Sequence, residues 1–241
     1  MNLSGRLMTV ALAVTPGNRV ADIGTDHAYV PIFLVEKGRI PCAIAMDINR
    51  GPLEKAALHI REKGLESRIS TRLSDGMDNL YAHEADTVII AGLGGDLMCR
   101  ILKRGKDLSG QQPELVLQPQ SEWFKVRHTL HDLGYRIIRE WFLKDEGKYY
   151  VVIKAIPGEE RYKAETEYVY GSALEENSYP VMREYLMREK SKREGIIEQI
   201  LTNTGNNKNN RLEELRLELS RIEERLAGLE ADPPTETAYE A

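Results

Sequence analysis

Three carboxylates stand, in order, at the ends of three strand-like stretches of the chain. Asp22-Ile23-Gly24 closes the first, Asp47 the second and Ser74-Asp75-Gly76 the third. In an open α/β sheet, ligands gather at the carboxyl ends of the strands, near the point where strand order reverses. Acids at these places suit a nucleoside. Asp47, with Ile48 beside it, is set to accept both hydroxyls of a ribose, and Asp75 with the backbone N–H of Gly76 matches the N6 donor and N1 acceptor of an adenine edge. The loop after the first stretch, Gly24-Thr25-Asp26-His27-Ala28-Tyr29, bears on the rest of the ligand. A pyrophosphate needs several backbone N–H groups laid bare by glycines. Here Gly24 stands alone and Asp26 adds a second acid near Asp22. Two carboxylates repel a diphosphate and attract a ligand with a positive centre and an ammonium group, which S-adenosylmethionine combines with an adenosine. The cofactor-binding candidates are Asp22, Gly24, Asp26, His27, Asp47, Ile48, Asp75, Gly76, Ala91 and Gly92. Singly, each has a plainer reading as a turn glycine or a helix-capping acid; the ordered recurrence of acidic strand ends favours a ligand.

Positioning these residues requires alternating strands and helices, and the hydrophobic pattern supplies them to about residue 157. Residues 3–14 read as a helix capped by Ser4. Strand Arg19–Ile23, helix His27–Lys37, strand Cys42–Asp47, helix Gly51–Lys63 and strand Ile69–Leu73 follow. The apolar run in ADTVIIAGLGG reads as a buried strand, and then come helix Asp96–Lys103, strand Leu115–Gln118 and helix Glu122–Leu133. Arg136–Leu143 and Tyr149–Ile156 face each other across KDEGK, a hairpin signal. The expected fold is α/β: a Rossmann-like, mostly parallel sheet with an antiparallel hairpin at one edge. After Pro157-Gly158 the strand pattern ends. Leu212, Leu215, Leu219, Ile222, Leu226 and Leu229 recur at spacings of 3 and 4, a heptad seam. Together with an earlier helix at about Tyr179–Leu201 and the polar TNTGNNKNN between them, the seam predicts a C-terminal, coiled-coil-like α-helical hairpin. The expected division is 1–157 for the sheet domain, 158–230 for the helical part and 231–241 for a disordered tail.

Composition narrows the class. Of 241 residues, 41% are hydrophobic, enough for a sizeable core. Two cysteines, Cys42 and Cys99, offer no disulfide framework and fit a reducing cytoplasm. The N-terminus lacks the basic start and unbroken apolar run of a secretory signal, and no apolar stretch is long enough to span a membrane. The net charge of −5 hides an asymmetry: residues 1–157 carry 21 Lys+Arg against 19 Asp+Glu, and residues 158–241 carry 12 against 19. A nucleic-acid partner is therefore not excluded, because a local basic patch is enough.

Several stretches make the chain resemble the bacterial tRNA (adenine-22-N1)-methyltransferases: LSGRL (3–7), ADIGTDHAYVPIFLV (21–35), AMDINRGPLEKA (45–56), RLSDGM (72–77), IIAGLGGDLM (89–98), LVLQPQSE (115–122) and EGKYYVVIKA (146–155). They cover nearly the whole first domain. The resemblance implies a class I methyltransferase domain with a helical extension, S-adenosylmethionine as cofactor, and transfer to adenine N1 in the D arm of tRNA. Two departures stand out. Asp26 and Ala28 replace the second and third glycines of the class-wide acid-x-Gly-x-Gly-x-Gly signature. Gln118-Pro119-Gln120 stands where the family often has Gln-Pro-Asn.

Adenine N1 carries a lone pair and can attack a sulfonium methyl without a strong base, so the chemistry asks mainly for alignment and dryness. The catalytic candidates are Asp26, His27, Tyr29, Gly92 and Gly94: the acid to offset charge developing on the ring, His27 and Tyr29 to stack on or bond an extruded base, and the glycines to let it approach the backbone. Tyr29 as a rim residue, His27 as a helix cap and AGLGG as a simple turn are the bland counterparts. RNA-contact candidates are Arg6, Arg100, Lys103, Arg104 and Lys106 near the pocket mouth, with Arg188, Lys190, Lys192 and Arg193 on the hairpin. The hairpin serves equally as an RNA clamp or a homodimer seam, so the reading leaves monomer and homodimer open. No metal is expected, since His128 and His131, three apart on a helix, form a poor ligand set. Rival readings are a methyltransferase acting on another RNA or a small molecule, a non-catalytic RNA-binding scaffold, and a dinucleotide-dependent oxidoreductase, the last opposed by Asp26.

Overall fold

The computed structural model describes residues 3–105, 112–202 and 209–231. Seven strands form one sheet: β1 (Val20–Ile23), β2 (Ala43–Asp47), β3 (Ile69–Leu73), β4 (Thr87–Leu93), β5 (Glu114–Pro119), β6 (Tyr135–Asp145) and β7 (Lys148–Pro157). Their order is β3-β2-β1-β4-β5-β7-β6. The strands from β3 through β5 pair in parallel. The chain leaves β1 toward β2 and β3 on one side and returns to β4 and β5 on the other, so the switch point lies between β1 and β4.

The hairpin forms one edge of the sheet, as expected; what the pattern left open is the order within it, with β7 antiparallel between β5 and β6 and β6 outermost. Burial explains the choice: Val151-Val152-Ile153 of β7 is continuously buried, as an interior strand requires, whereas β6 alternates buried and exposed residues. Glu146 and Gly147, both at positive φ, make the two-residue turn that matches strand twist.

Helices α1 (Gly5–Ala13), α2 (Tyr29–Glu36), α3 (Arg50–Glu62), α4 (Gly95–Arg104) and α5 (Trp123–Asp132) cover the sheet. The Ser4 hydroxyl caps α1 by accepting from the Leu7 N–H, as its position predicted. One face of the sheet packs on α1, α2 and α3, the other on α4 and α5. Every residue of α2 from Val30 to Val35 is buried, which fixes the loop before it on a rigid support.

Past residue 157 the chain forms α6 (Glu165–Tyr170), a 3-10 turn at Glu176–Ser178, α7 (Tyr179–Thr202) and α8 (Asn209–Ala231). The last two are antiparallel, since Arg183 meets Glu230, Lys190 meets Glu223 and Arg193 meets Glu218. Of the heptad residues, Leu215, Ile222 and Leu229 are buried and the other three are half-buried. Met182, Leu186, Ile222 and Leu229 join the same buried cluster as Phe142 and Val151 of the sheet, so the base of the hairpin shares the sheet's core. At this junction Arg127 and Glu140, 1% and 0% exposed at their side chains, form an ion pair, and Arg127 also donates to the carbonyls of Tyr168 and Val169. Beyond Ala231, the expected tail lies outside the described residues, as does Lys106.

Candidate active site

A cleft of about 450 Å³ opens at the switch point, walled by Asp22, Gly24, Thr25, Asp26 and Tyr29 from the β1–α2 loop and by Ala91, Gly92 and Leu93 from the end of β4. The β1–α2 loop is anchored, not splayed. The N–H groups of Gly24 and Thr25 both donate to the Met46 carbonyl, at 2.8 and 2.9 Å, and the Thr25 hydroxyl donates to Asp22 Oδ2 at 2.7 Å. Those two N–H groups are spent on β2, which leaves the loop unlike an anion cradle. Asp22 is buried, and burial pushes its carboxyl up to about 6, against the Thr25 hydroxyl and helped by the nearby Asp47 charge. Asp26, by contrast, is 75% exposed at its side chain and stands at the mouth, 3.1 Å from His27 Nε2.

His27 and Ala28 both take left-handed backbone angles, φ 67° and 57°. Strained, non-glycine backbone of this kind persists only where its surroundings impose it. Here they do. The His27 ring stacks on Tyr29 (5.1 Å between centroids) and on His59 of α3 (5.2 Å), while His59 Nδ1 lies 3.2 Å from the His27 carbonyl. His27 Nδ1 is buried without a partner among the described residues. The geometry gives His27 no capping role at α2, and its ring lies behind Tyr29 and outside the cleft wall. His59 was absent from the sequence-derived set; it lies 32 residues from His27, and no local pattern links them.

The floor is held from the far side. Gly92 adopts φ 79°, a conformation that other residues reach only with strain, and its N–H donates to Gln118 Oε1 at 3.1 Å. The same oxygen accepts from Arg6 Nη1 at 2.7 Å. Arg6, expected near the pocket mouth, lies over the Tyr150 ring and lines the cleft itself. Gln118, fully buried, is a further residue that sequence spacing did not single out for a role. Gly95 answers a different demand: a Cβ there would lie 2.3 Å from the Ser121 carbonyl, so it permits α4 to pack on the β5–α5 loop. Gly94 is the exposed N-cap of α4 and does not line the cleft.

Asp47, Ile48, Asp75 and Gly76 stand at the neighbouring strand ends, outside the walls of this cavity. Asp47 Oδ1 accepts from the Asn49 N–H at 2.7 Å. Asp75 is paired with Arg104, whose guanidinium also reaches Asp78.

Residues 3–153 match a methyltransferase-domain family. The tRNA (adenine(22)-N(1))-methyltransferase of Bacillus subtilis is 40% identical over 159 residues, spanning 66% of this chain and 67% of that protein. The chain belongs to the tRNA (adenine-22-N1)-methyltransferase family. The crystal structure of the B. subtilis m1A22 tRNA methyltransferase TrmK superposes on this methyltransferase with a TM-score of 0.81 at 32% identity, covering 93% of this chain and 99% of that one. Mycoplasma capricolum TrmK, solved with S-adenosyl-homocysteine, superposes with a TM-score of 0.80 at 29% identity, covering 93% and 98%.

The basic candidates of the methyltransferase are scattered. Arg100 and Lys103 are exposed on α4, facing a groove shared with Phe124 and Lys125 of α5. Arg104 sits on Asp75 and Asp78. On the hairpin, Lys190 and Arg193 are engaged by acids of α8 and of their own helix, Lys192 is exposed, and Arg188 lies over the Tyr149 ring. His131 is buried between Tyr168 and Glu160, and burial lowers its pKa. Among the described residues, no cluster of three or more His, Cys, Asp or Glu is placed to hold a metal. No described helix is long and apolar enough to cross a membrane.

Proposed function

We propose that this methyltransferase transfers a methyl group from S-adenosylmethionine to N1 of adenine 22 in the D arm of tRNA. The observation that carries the reading is the cleft between β1 and β4, acidic on one wall and floored by Gly92, in a chain 40% identical to the adenine-22-N1 enzyme of B. subtilis. The donor set fits the cofactor: Asp22 and Asp26 face the cleft where a sulfonium and an ammonium would lie, with Asp47 and Asp75 at the next strand ends for the ribose and the adenine. S-adenosylmethionine supplies, when bound, an electrophilic methyl on a positively charged sulfur.

The chain's own residues do the rest. Tyr29 and the Gly92–Leu93 backbone form the slot that aligns the target base, and His27 and His59 hold Tyr29 in place by stacking. Alignment of a lone pair with the methyl lowers the barrier chiefly by removing orientational freedom. Asp26, at the mouth, offsets the positive charge that the ring acquires. Arg6 is turned onto Gln118 and Tyr150, which holds the floor. N1 lies on the pairing edge, so the base must leave its stack to enter.

The division into a sheet part at 1–157 and a helical part at 158–230, and action in the cytoplasm, belong to the same proposal; the two cysteines and the tRNA substrate support the latter. The test is incubation with S-adenosylmethionine and unmodified tRNA transcript, digestion to nucleosides and mass spectrometry. 1-Methyladenosine is expected, and is lost when position 22 is guanine. Methyl incorporation that survives that replacement, or none with either transcript, overturns the reading.

A further inference from the structure

A second cavity, about 650 Å³, lies beside the cleft. It is built where the β5–α5 loop, the end of α6 and the helical hairpin meet. Its walls include Gln120, Trp123, Phe124, Tyr170, Tyr185 and Arg221. Three features set it apart from an ordinary crevice. It borders the cleft, because Gln120 lines both, and Gln120 Nε2 lies 3.8 Å from where a Cβ on Gly92 would be. It is aromatic: Phe124 is 39% exposed, an unusual state for phenylalanine, while Trp123 and Tyr185 stand partly open on the Phe142 ring. It also holds unspent polarity. Among the described residues the buried Trp123 Nε1–H has no acceptor and Arg221 makes no ion pair, although Arg193 beside it is tied to Glu189 and Glu218.

Aromatic faces stack on any base, and a cation among them takes a phosphate. Buried donors rarely go unpaired in native structures unless something else supplies an acceptor. We propose that this cavity is a second nucleotide site, which receives an unpaired nucleotide of the tRNA next to the target adenine, its base against Phe124 and Trp123 and its phosphate on Arg221. The proposal rests on the tRNA-methyltransferase reading above. It assigns the hairpin a definite task, since α7 and α8 contribute Tyr185 and Arg221 to a site whose other half belongs to the sheet. One strand of RNA then occupies the cleft and the cavity together, with Gln120 between its two nucleotides.

The test uses the full chain and tRNA transcripts. In steady-state methylation, Phe124→Ala and Arg221→Gln are each expected to raise KM for tRNA about fivefold or more, the loss of one stacked base or one phosphate contact, with cofactor affinity unchanged. Transcripts made abasic at single positions on either side of the target locate the partner. One such position is expected to raise KM for the wild type and to add nothing in Phe124→Ala. A chain carrying Trp141→Phe leaves Trp123 as sole tryptophan, whose fluorescence is expected to be quenched by the intact transcript and not by the abasic one. Unchanged KM in Arg221→Gln, whose side chain is partly exposed and whose loss leaves the core intact, overturns the second site while leaving the enzyme's activity standing. Absence of any methyl transfer by the wild type overturns the activity and this inference together.

Discussion

Asp22 and Asp26 are four residues apart and live in different media. Asp22 is buried in the cleft wall, bonded by the Thr25 hydroxyl, and burial pushes its carboxyl up to about 6, whereas Asp26 faces water. A buried acid of this kind is half-neutral at about pH 6 and becomes a strong cation receptor once ionised. Because the cation binds the ionised form, S-adenosylmethionine is expected to bind more tightly as pH rises through 6. Below that value its Kd is expected to weaken by up to about tenfold per unit. Calorimetric titration between pH 5 and 8 measures this, and Asp22→Asn should give a flat, weaker profile; a flat profile in the wild type refutes the role of Asp22. The residues that sequence spacing could find here are those at strand ends, whose position follows from hydrophobic period alone. Arg6 was placed near the pocket mouth, but its hold on Gln118 was out of reach, as were Gln118 and His59 themselves, since Arg6 meets Gln118 across 112 residues and His59 meets His27 across 32. Such meetings are products of strand order.

At the scale of elements, strand and helix boundaries fell within two residues of the hydrophobic pattern throughout the sheet. Each β–α unit is bracketed by Gly, Pro or an acid, so its ends are written locally. α6 and the 3-10 turn at Glu176–Ser178 were missed because six and three residues are too few to show a period. Two elements also changed meaning. Arg104, at the end of α4, read as an RNA contact but grips Asp75 and Asp78. Removing it frees the carboxylate at the end of β3. Arg104→Ala is therefore expected to shift cofactor affinity by up to about fivefold, the range of an exposed ion pair, and to leave KM for tRNA unmoved; the reverse pattern would restore it to the RNA surface. In the hairpin, Lys190 and Arg193 decorate a seam that apolar packing holds. Ile222→Ala is expected to cost about 2–5 kcal/mol, against a much smaller loss for Lys190→Ala, whose ion pairs are solvent-screened, with urea denaturation as the measure. Comparable losses would show that the ion pairs, not the seam, hold α7 on α8.

The two expected parts of the chain, 1–157 and 158–230, share one buried core. The change of texture after Pro157 suggested the division, and Met182, Leu186, Ile222 and Leu229 complete a core begun by the sheet. Arg127, Glu140 and the 168–175 segment form the joint. Glu140 accepts from the Ser172 N–H and its backbone bonds Ala173 and Glu175, so one side chain and one stretch of β6 fix where the hairpin departs. Breaking a buried pair leaves an uncompensated charge and costs about 3–5 kcal/mol. Glu140→Gln is expected to lower stability by that order in a urea titration; a loss under about 1 kcal/mol would mean the joint is held by packing alone. None of this was legible locally, because nothing in the sequence around Arg127 or Glu140 marks either charge as buried.

The place of β7 also sets a schedule for how the chain is made. β5 is complete at residue 119, and its neighbour on the far side is not complete until residue 157. At about 5–20 residues per second, a ribosome needs some seconds to supply that interval. Throughout it, β5 offers the nascent chain an open edge lined with apolar side chains, the kind of surface on which neighbouring polypeptides pair. The turn at Glu146-Gly147 shortens the exposure. A hairpin zips in microseconds once its second strand emerges, so the sheet is closed by docking a ready-made ribbon. A polypeptide released early, before the second strand, has no way to cover that edge.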